Sequence, residues 1–170
     1  MNRIFLIGYM GSGKTTIGKM LANRLNYSFV DMDARIEEQQ FKSINDIFNE
    51  VGENEFRVLE KKCLHEVAEF TNVIISTGGG APCFFDNINY MNSKGLTIYL
   101  KLTTEELAIR LESFKVNKRP LLANKNANEL RQFIADGLLK REPFYNQATL
   151  SLHGSEKEIV NNICDYVKLN

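Results

Sequence analysis

The sequence predicts an α/β fold in three layers, a mainly parallel sheet with helices on both faces. Three observations carry this. The run Arg3-Ile-Phe-Leu-Ile-Gly8 is continuously apolar and rich in strand formers, the pattern of a central strand covered on both sides. Strand-patterned and helix-patterned segments then alternate to the end of the chain without internal repeats or low-complexity linkers. Glycines and acids cluster directly after the strand-patterned segments, at the edge where open α/β sheets bind ligands. A chain of 170 residues suits one compact domain spanning 1–170.

In chain order, a glycine-rich turn after Gly8 opens a helix over 14–25, where Ile17, Met20, Leu21 and Leu25 recur at helical spacing. Residues 27–32 read as a second strand, which completes a βαβ unit. Helical pattern resumes over 34–40 and 44–51. Phe56, Leu59, Cys63, Val67 and Phe70 then form an apolar stripe with steps of three and four. A third strand over 72–77 ends at Gly78, Gly79 and Gly80, and a helical stretch leads to a fourth strand over 96–100. Thr103-x-x-Glu106 has the form of a capping box and announces the helix carrying Leu107, Arg110 and Leu111. Residues 115–128 are polar and basic with little apolar periodicity, and read as a loop long enough to be functional. A helix over 129–140, a short strand near 149–152 and a helix capped by Ser155-x-x-Glu158 finish the chain.

Composition excludes several classes. Lys and Arg balance Asp and Glu at 21 each, so no global field draws nucleic acid or an anionic membrane to the protein. Cys63, Cys83 and Cys164 are odd in number and lie in no C-x-x-C spacing, which argues against a disulfide framework or a zinc site. No apolar run reaches the length of a signal core or a membrane span, and the protein is expected to be soluble and cytoplasmic.

The strongest signal is Gly8-Tyr-Met-Gly-Ser-Gly-Lys14-Thr15, which satisfies G-x-x-x-x-G-K-[ST] between a strand and a helix, the context a P-loop requires. The glycines let backbone N–H groups wrap a phosphate at a helix N-terminus, where the helix dipole already favours anions. Lys14 is then placed to neutralise the β- and γ-phosphate oxygens of a nucleotide, and the Thr15 hydroxyl to ligate Mg²⁺. Asp31 and Asp33 follow the second strand. Strand alternation would point both the same way, one toward Mg²⁺ and one toward an acceptor hydroxyl, although a helix N-cap followed by a solvated acid is the plainer reading of the pair. Gly78, Gly79 and Gly80 remove every Cβ where backbone must approach something closely, unless they form a plain turn. Arg57 beside the apolar stripe, Arg141 after the predicted helix, and Arg119 in the basic loop are candidate anion ligands in positions where single arginines are usually solvated. Two near-misses are set aside. His65-Glu66-Val-Ala-Glu69 lacks the second histidine of a zinc protease helix. Asn124-Lys125-Asn126-Ala127 has alanine where a guanine-reading aspartate would be needed, so a nucleotide switch loses its main support.

Taken together, the P-loop, Asp31-x-Asp33, Phe56-Arg57, Gly78-Gly-Gly80, Arg119-Pro-Leu-Leu and Arg141-x-Pro-x-Tyr145 resemble the shikimate kinase family from Ile4 to about Ala148. The resemblance implies a P-loop kinase fold with a five-stranded parallel sheet in order 2-3-1-4-5, an acceptor-binding segment over about 33–60 and a lid over about 115–128. It also implies transfer of the ATP γ-phosphoryl group to the 3-hydroxyl of shikimate, with Mg²⁺, in the pathway to chorismate and the aromatic amino acids. Under it, Gly11, Ser12, Gly13, Lys14, Thr15 and Thr16 form the phosphate cradle, and Asp31 is an outer-sphere Mg²⁺ partner beside Thr15. Asp33 holds the acceptor hydroxyl and takes its proton. Arg57 and Arg141, with backbone at Gly78, Gly79 and Gly80, clamp the acceptor. Arg119 is the lid arginine and Arg110 stacks on adenine. The chain departs from part of the family at His153-Gly154-Ser155, where some members place an arginine near the nucleotide. ATP and shikimate are the expected partners, with no nucleic acid or membrane, and a monomer is expected. The rival readings are a kinase of the same fold acting on gluconate or a nucleoside monophosphate, and a nucleotide-binding switch without an acceptor.

Overall fold

Five parallel strands form one sheet in the order β2-β3-β1-β4-β5, in a computed structural model that describes residues 2–114 and 126–169. The strands are β1 (Arg3–Ile7), β2 (Ser28–Asp31), β3 (Val73–Ser76), β4 (Leu96–Leu100) and β5 (Leu150–Leu152). This is the order the resemblance implies. The register sets Leu6 beside Ser76 and Ile98, so the carboxyl ends of β1, β3 and β4 open on one edge.

Alternation along β1 explains the layers. Ile4 and Leu6 pack on one side with Ile17 and Leu21 of α1 (Lys14–Leu25) and with Ile159, Val160 and Ile163 of α7 (Glu156–Leu169). Phe5 and Ile7 face the other side. There they meet Leu64 and Val67 of α3 (Ile44–Val67), Met91 of α4 (Asn87–Lys94), Leu107 and Leu111 of α5 (Thr104–Phe114), and Leu130 and Ile134 of α6 (Ala127–Tyr145). Side chains of this kind, wholly removed from water, contribute about 1.5–3 kcal/mol each. Every strand-to-helix connection is therefore delivered to one edge of a rigid, doubly covered sheet.

Three sequence expectations change. The second strand stops at Asp31, and α2 (Met32–Gln40) starts at once, so Asp33 lies in the first turn of a helix and not on a strand. Asp31 is the N-cap. Its Oδ1 accepts from the N–H groups of Asp33 and Ala34, which ends the strand because the carboxylate satisfies donors that a helix start leaves open. The helical patterns at 44–51 and from 56 onward are the two helical stretches of α3, separated as expected by a break at Gly52 (φ 76°, ψ 176°), and the second stretch begins before Phe56. Arg57 consequently sits inside that helix and does not begin one, and Phe70 lies beyond its end and is partly exposed. α6 runs from Ala127 to Tyr145, so Arg141 is within the helix and not after it. At its other end the capping box at Asn126 and Glu129 starts the helix two residues before the predicted point. Of the expected lid, 115–125 lies outside the described residues.

Candidate active site

At the carboxyl edge a cavity of about 670 Å³ is lined by Gly11, Gly13, Lys14, Thr15, Thr16, Asp31, Asp33, Ser76, Thr77, Gly79, Arg110, Leu111, Ser113 and Glu156. The size suits a small ligand with several polar contacts. Its floor is the turn from Gly8 to Gly13. Gly13 takes φ 92° immediately before α1, a left-handed conformation that a side chain resists, and the first turn of α1 carries no acid to compete with an anion. Lys14 Nζ donates to the carbonyls of Gly8 and Tyr9 at 2.9 and 3.0 Å, which holds the ammonium across the loop. Ser12 is buried beneath the turn and does not line the cavity.

Thr15 and Asp31 meet at the mouth. The Thr15 hydroxyl donates to Asp31 Oδ2 at 2.8 Å, while Oδ1 of the same carboxylate is occupied in capping α2. A hydroxyl and one carboxylate, both hard oxygen donors, match what Mg²⁺ takes from protein when phosphates and water supply the rest. Among the described residues no group of three or more His, Cys, Asp and Glu is placed to hold a metal, so a cation cage built from protein alone is not part of this arrangement.

Beside the P-loop turn runs the strip Gly78-Gly79-Gly80, where a Cβ on Gly79 would lie 3.5 Å from the Gly8 carbonyl oxygen and the Met10 nitrogen, and charged side chains lie over each glycine. A Cβ on Gly78 would come within 2.6 Å of Glu60 Oε1 and 2.8 Å of Asp33 Oδ1. On Gly79 it would lie 3.4 Å from a terminal nitrogen of Arg141, and on Gly80 2.6 Å from both terminal nitrogens of Arg57. The strip is a turn, with the Ala81 N–H donating to the Gly78 carbonyl at 3.1 Å, and the missing side chains also leave room for two carboxylates and two guanidinium groups. Tyr145, at the end of α6, donates its hydroxyl to the Gly79 carbonyl and ties the strip to the helix that carries Arg141. Arg141 stacks over the Tyr9 ring at 5.0 Å.

Arg57 is almost completely buried. Its Nη1 donates to Glu60 Oε2 at 2.9 Å and its Nη2 to Glu53 Oε1 at 3.0 Å, and the ring of Phe84 covers its face at 4.2 Å. Burial pushes the Glu60 carboxyl up to about 7; the Arg57 guanidinium pulls against that shift and Asp33 adds to it. Sequence reasoning passed over Glu60. The signal was there, because position 60 falls on the buried stripe between Phe56 and Cys63, where an acid requires a partner. Tyr9 and Thr77, also buried beside the site, carried no comparable mark.

A family model described as shikimate kinase matches residues 10–168. The chain belongs to the shikimate kinase family. A shikimate kinase from Parabacteroides distasonis is 51% identical over 165 residues, covering 97% of this chain and 95% of that protein. A crystal structure of shikimate kinase from Bacteroides thetaiotaomicron superposes with a TM-score of 0.93 at 45% identity, with 98% of each chain covered. A shikimate kinase from Acinetobacter baumannii, solved in complex with shikimate, gives 0.88 at 32% identity over all of this chain and 94% of its own.

For this shikimate kinase family member, the structure gathers Gly11, Gly13, Lys14, Thr15, Thr16, Asp31, Asp33, Gly79 and Arg110 around one cavity. Gly78, Gly80, Arg57 and Arg141 adjoin it through the glycine strip. Arg119 lies outside the described residues. Arg110 approaches the P-loop: a Cβ on Gly13 would lie 3.3 Å from its Nη1 and 3.9 Å from Glu156 Oε1. The segment at 153–155 is occupied with local structure, His153 bonding Glu106 and Ser155 capping α7 through Glu158, and the neighbouring Glu156 is the residue that faces the cavity.

Proposed function

We propose that this kinase transfers the γ-phosphoryl group of ATP to the 3-hydroxyl of shikimate through a division of labour between the two walls of the cavity. Gly11 to Thr16 hold the phosphates by backbone N–H groups, and Lys14 moves from the Gly8 and Tyr9 carbonyls onto the β- and γ-phosphate oxygens. Thr15 and Asp31 are the residues that would hold Mg²⁺, which supplies charge neutralisation across the β- and γ-phosphates when bound. Asp33 accepts the hydrogen bond of the acceptor hydroxyl and takes its proton as the new ester forms. Arg57 and Arg141 hold the acceptor carboxylate and ring hydroxyls against the backbone of Gly78, Gly79 and Gly80. Arg110 packs against the nucleotide; the expected lid arginine, Arg119, lies outside the described residues, and 126–128 belong to the capped start of α6.

The observation that carries this reading is the glycine strip, which sets an acid, Asp33, and two arginines, Arg57 and Arg141, beside the P-loop. A carboxylate-bearing polyol needs that set, and a nucleotide switch does not. The complex of the Acinetobacter baumannii relative with shikimate supports the choice of acceptor. The protein acts as one domain, with 33–60 as acceptor segment, and as a cytoplasmic monomer; among the described residues no helix is long and apolar enough to cross a membrane. The test is ADP release by purified protein with ATP and Mg²⁺, with and without shikimate. Turnover that depends on shikimate is expected, and gluconate or a nucleoside monophosphate supporting equal turnover would overturn the assignment.

A further inference from the structure

Arg57 is an unusual anion receiver, because it already carries two carboxylates. Glu60 holds Nη1 from a buried position, and Glu53, one turn before Arg57 on α3, holds Nη2 from a side chain that is more than half exposed. Phe48, Phe56 and Phe84 lie within 5.7, 5.3 and 4.2 Å of the guanidinium carbon and cover its faces. Only edges remain for a ligand. A carboxylate pairs with guanidinium through two parallel N–H groups, and with Nη1 committed to Glu60 the remaining fork is Nε with Nη2. Nε is buried and has no hydrogen-bond partner among the described residues. Glu53 occupies the other half of that fork.

The two acids differ in what it would take to move them. Glu60 is walled in by Gly78, and withdrawing it would leave Arg57 Nη1 buried without its acceptor. Glu53 follows Gly52, where α3 is broken, and its side chain is 56% exposed, so its carboxylate can turn into water.

We propose that Glu53 is a competing counter-ion that sets acceptor affinity: it occupies the Nη2 edge of Arg57, and the acceptor's carboxylate takes the Nε and Nη2 fork by displacing it. This deepens the reading above and rests on Arg57 being the carboxylate clamp. The consequence is an arginine that stays paired and oriented at all times, with an acceptor affinity lower than an unopposed guanidinium would give.

The full-length enzyme carrying Glu53→Gln keeps the helix and the shape of the side chain while removing the competing charge. Its KM for shikimate, and its shikimate dissociation constant measured by calorimetry without nucleotide, should each fall about two- to fivefold, the range for an ion pair with one exposed partner. The kcat should move far less than KM, and the KM for the carboxamide analogue, which brings no charge of its own, should fall less than that for the acid. Arg57→Lys is run alongside. If Arg57→Lys weakens shikimate binding while Glu53→Gln weakens it too or leaves it unchanged, Glu53 supports the clamp and does not compete with the acceptor, and the proposal is overturned on its own. If Arg57→Lys leaves shikimate affinity untouched, the clamp reading fails and takes the proposal with it.

Discussion

The phosphate half of the cavity comes from one unbroken stretch of chain, Gly11 to Thr16, whereas the acceptor half is drawn from α2, α3, α6 and the glycine strip after β3. In the reading proposed above the first half binds with backbone N–H groups and one lysine, so its geometry is a local property of a strand, a turn and a helix start. The second binds with side chains, and its geometry depends on three helices packing correctly on one sheet. The comparison teaches that the general part of the reaction, holding triphosphate, is locally encoded, while the choice of acceptor is a property of the tertiary structure. Substitutions on the two sides should therefore fail differently.

The largest effect is expected where the halves meet. Asp33→Asn keeps the side-chain shape beside Gly78 but removes the base, so phosphoryl transfer should fall about 10²- to 10⁴-fold. ATP binding, followed by fluorescence titration or calorimetry, should survive. Parallel loss of ATP affinity would put Asp33 in the metal site and blur the division between the walls.

On the phosphate side, Lys14→Ala should lower turnover about 10²- to 10³-fold, the cost of losing one fixed electrostatic contact to charge that shifts during transfer. The fold should lose only about 1 kcal/mol, since the variant forfeits two hydrogen bonds to partly exposed carbonyls. A thermal melt together with steady-state kinetics checks both. Near-normal activity in a folded variant would end the P-loop assignment.

On the acceptor side, Arg57→Lys keeps the charge and loses the fork. Shikimate affinity should drop about ten- to a hundredfold, and ATP affinity should hardly move. Substrate titrations with each ligand in turn give the answer, and equal losses for both would show that the two walls are not separable.

The acceptor wall should also impose a pH dependence on stability. Glu60 in the folded protein titrates at about 7, above the ordinary 4.5, so the folded state binds its proton more tightly than the unfolded chain does. The associated stability is fully present below about 4.5 and is lost as pH rises through 7, on the order of a few kcal/mol for so buried a group. Melting temperatures of wild type and Glu60→Gln measured from pH 5 to 8 should diverge, with the variant gaining relative to wild type as pH rises. A constant difference would mean that Glu60 stays ionised against Arg57 throughout.

By itself, the sequence determined the layered α/β architecture, the position of each strand to within a residue or two, and the glycine-rich turn between β1 and α1. Those depend on apolar period, glycine placement and helix caps, which act over a few neighbouring residues. It also supplied the identities of Asp33, Arg57 and Arg141, but through a combination of motifs and not through any local physical rule. Tertiary structure alone decided that Asp31, an N-cap by its sequence position, also meets Thr15, that the stretch of α3 after the break at Gly52 buries Arg57 with Glu60, and that the three glycines face Glu60 with Asp33, Arg141 and Arg57 in turn. The reason is range: a glycine announces that something comes close, and only the packing of α2, α3 and α6 on the sheet says what.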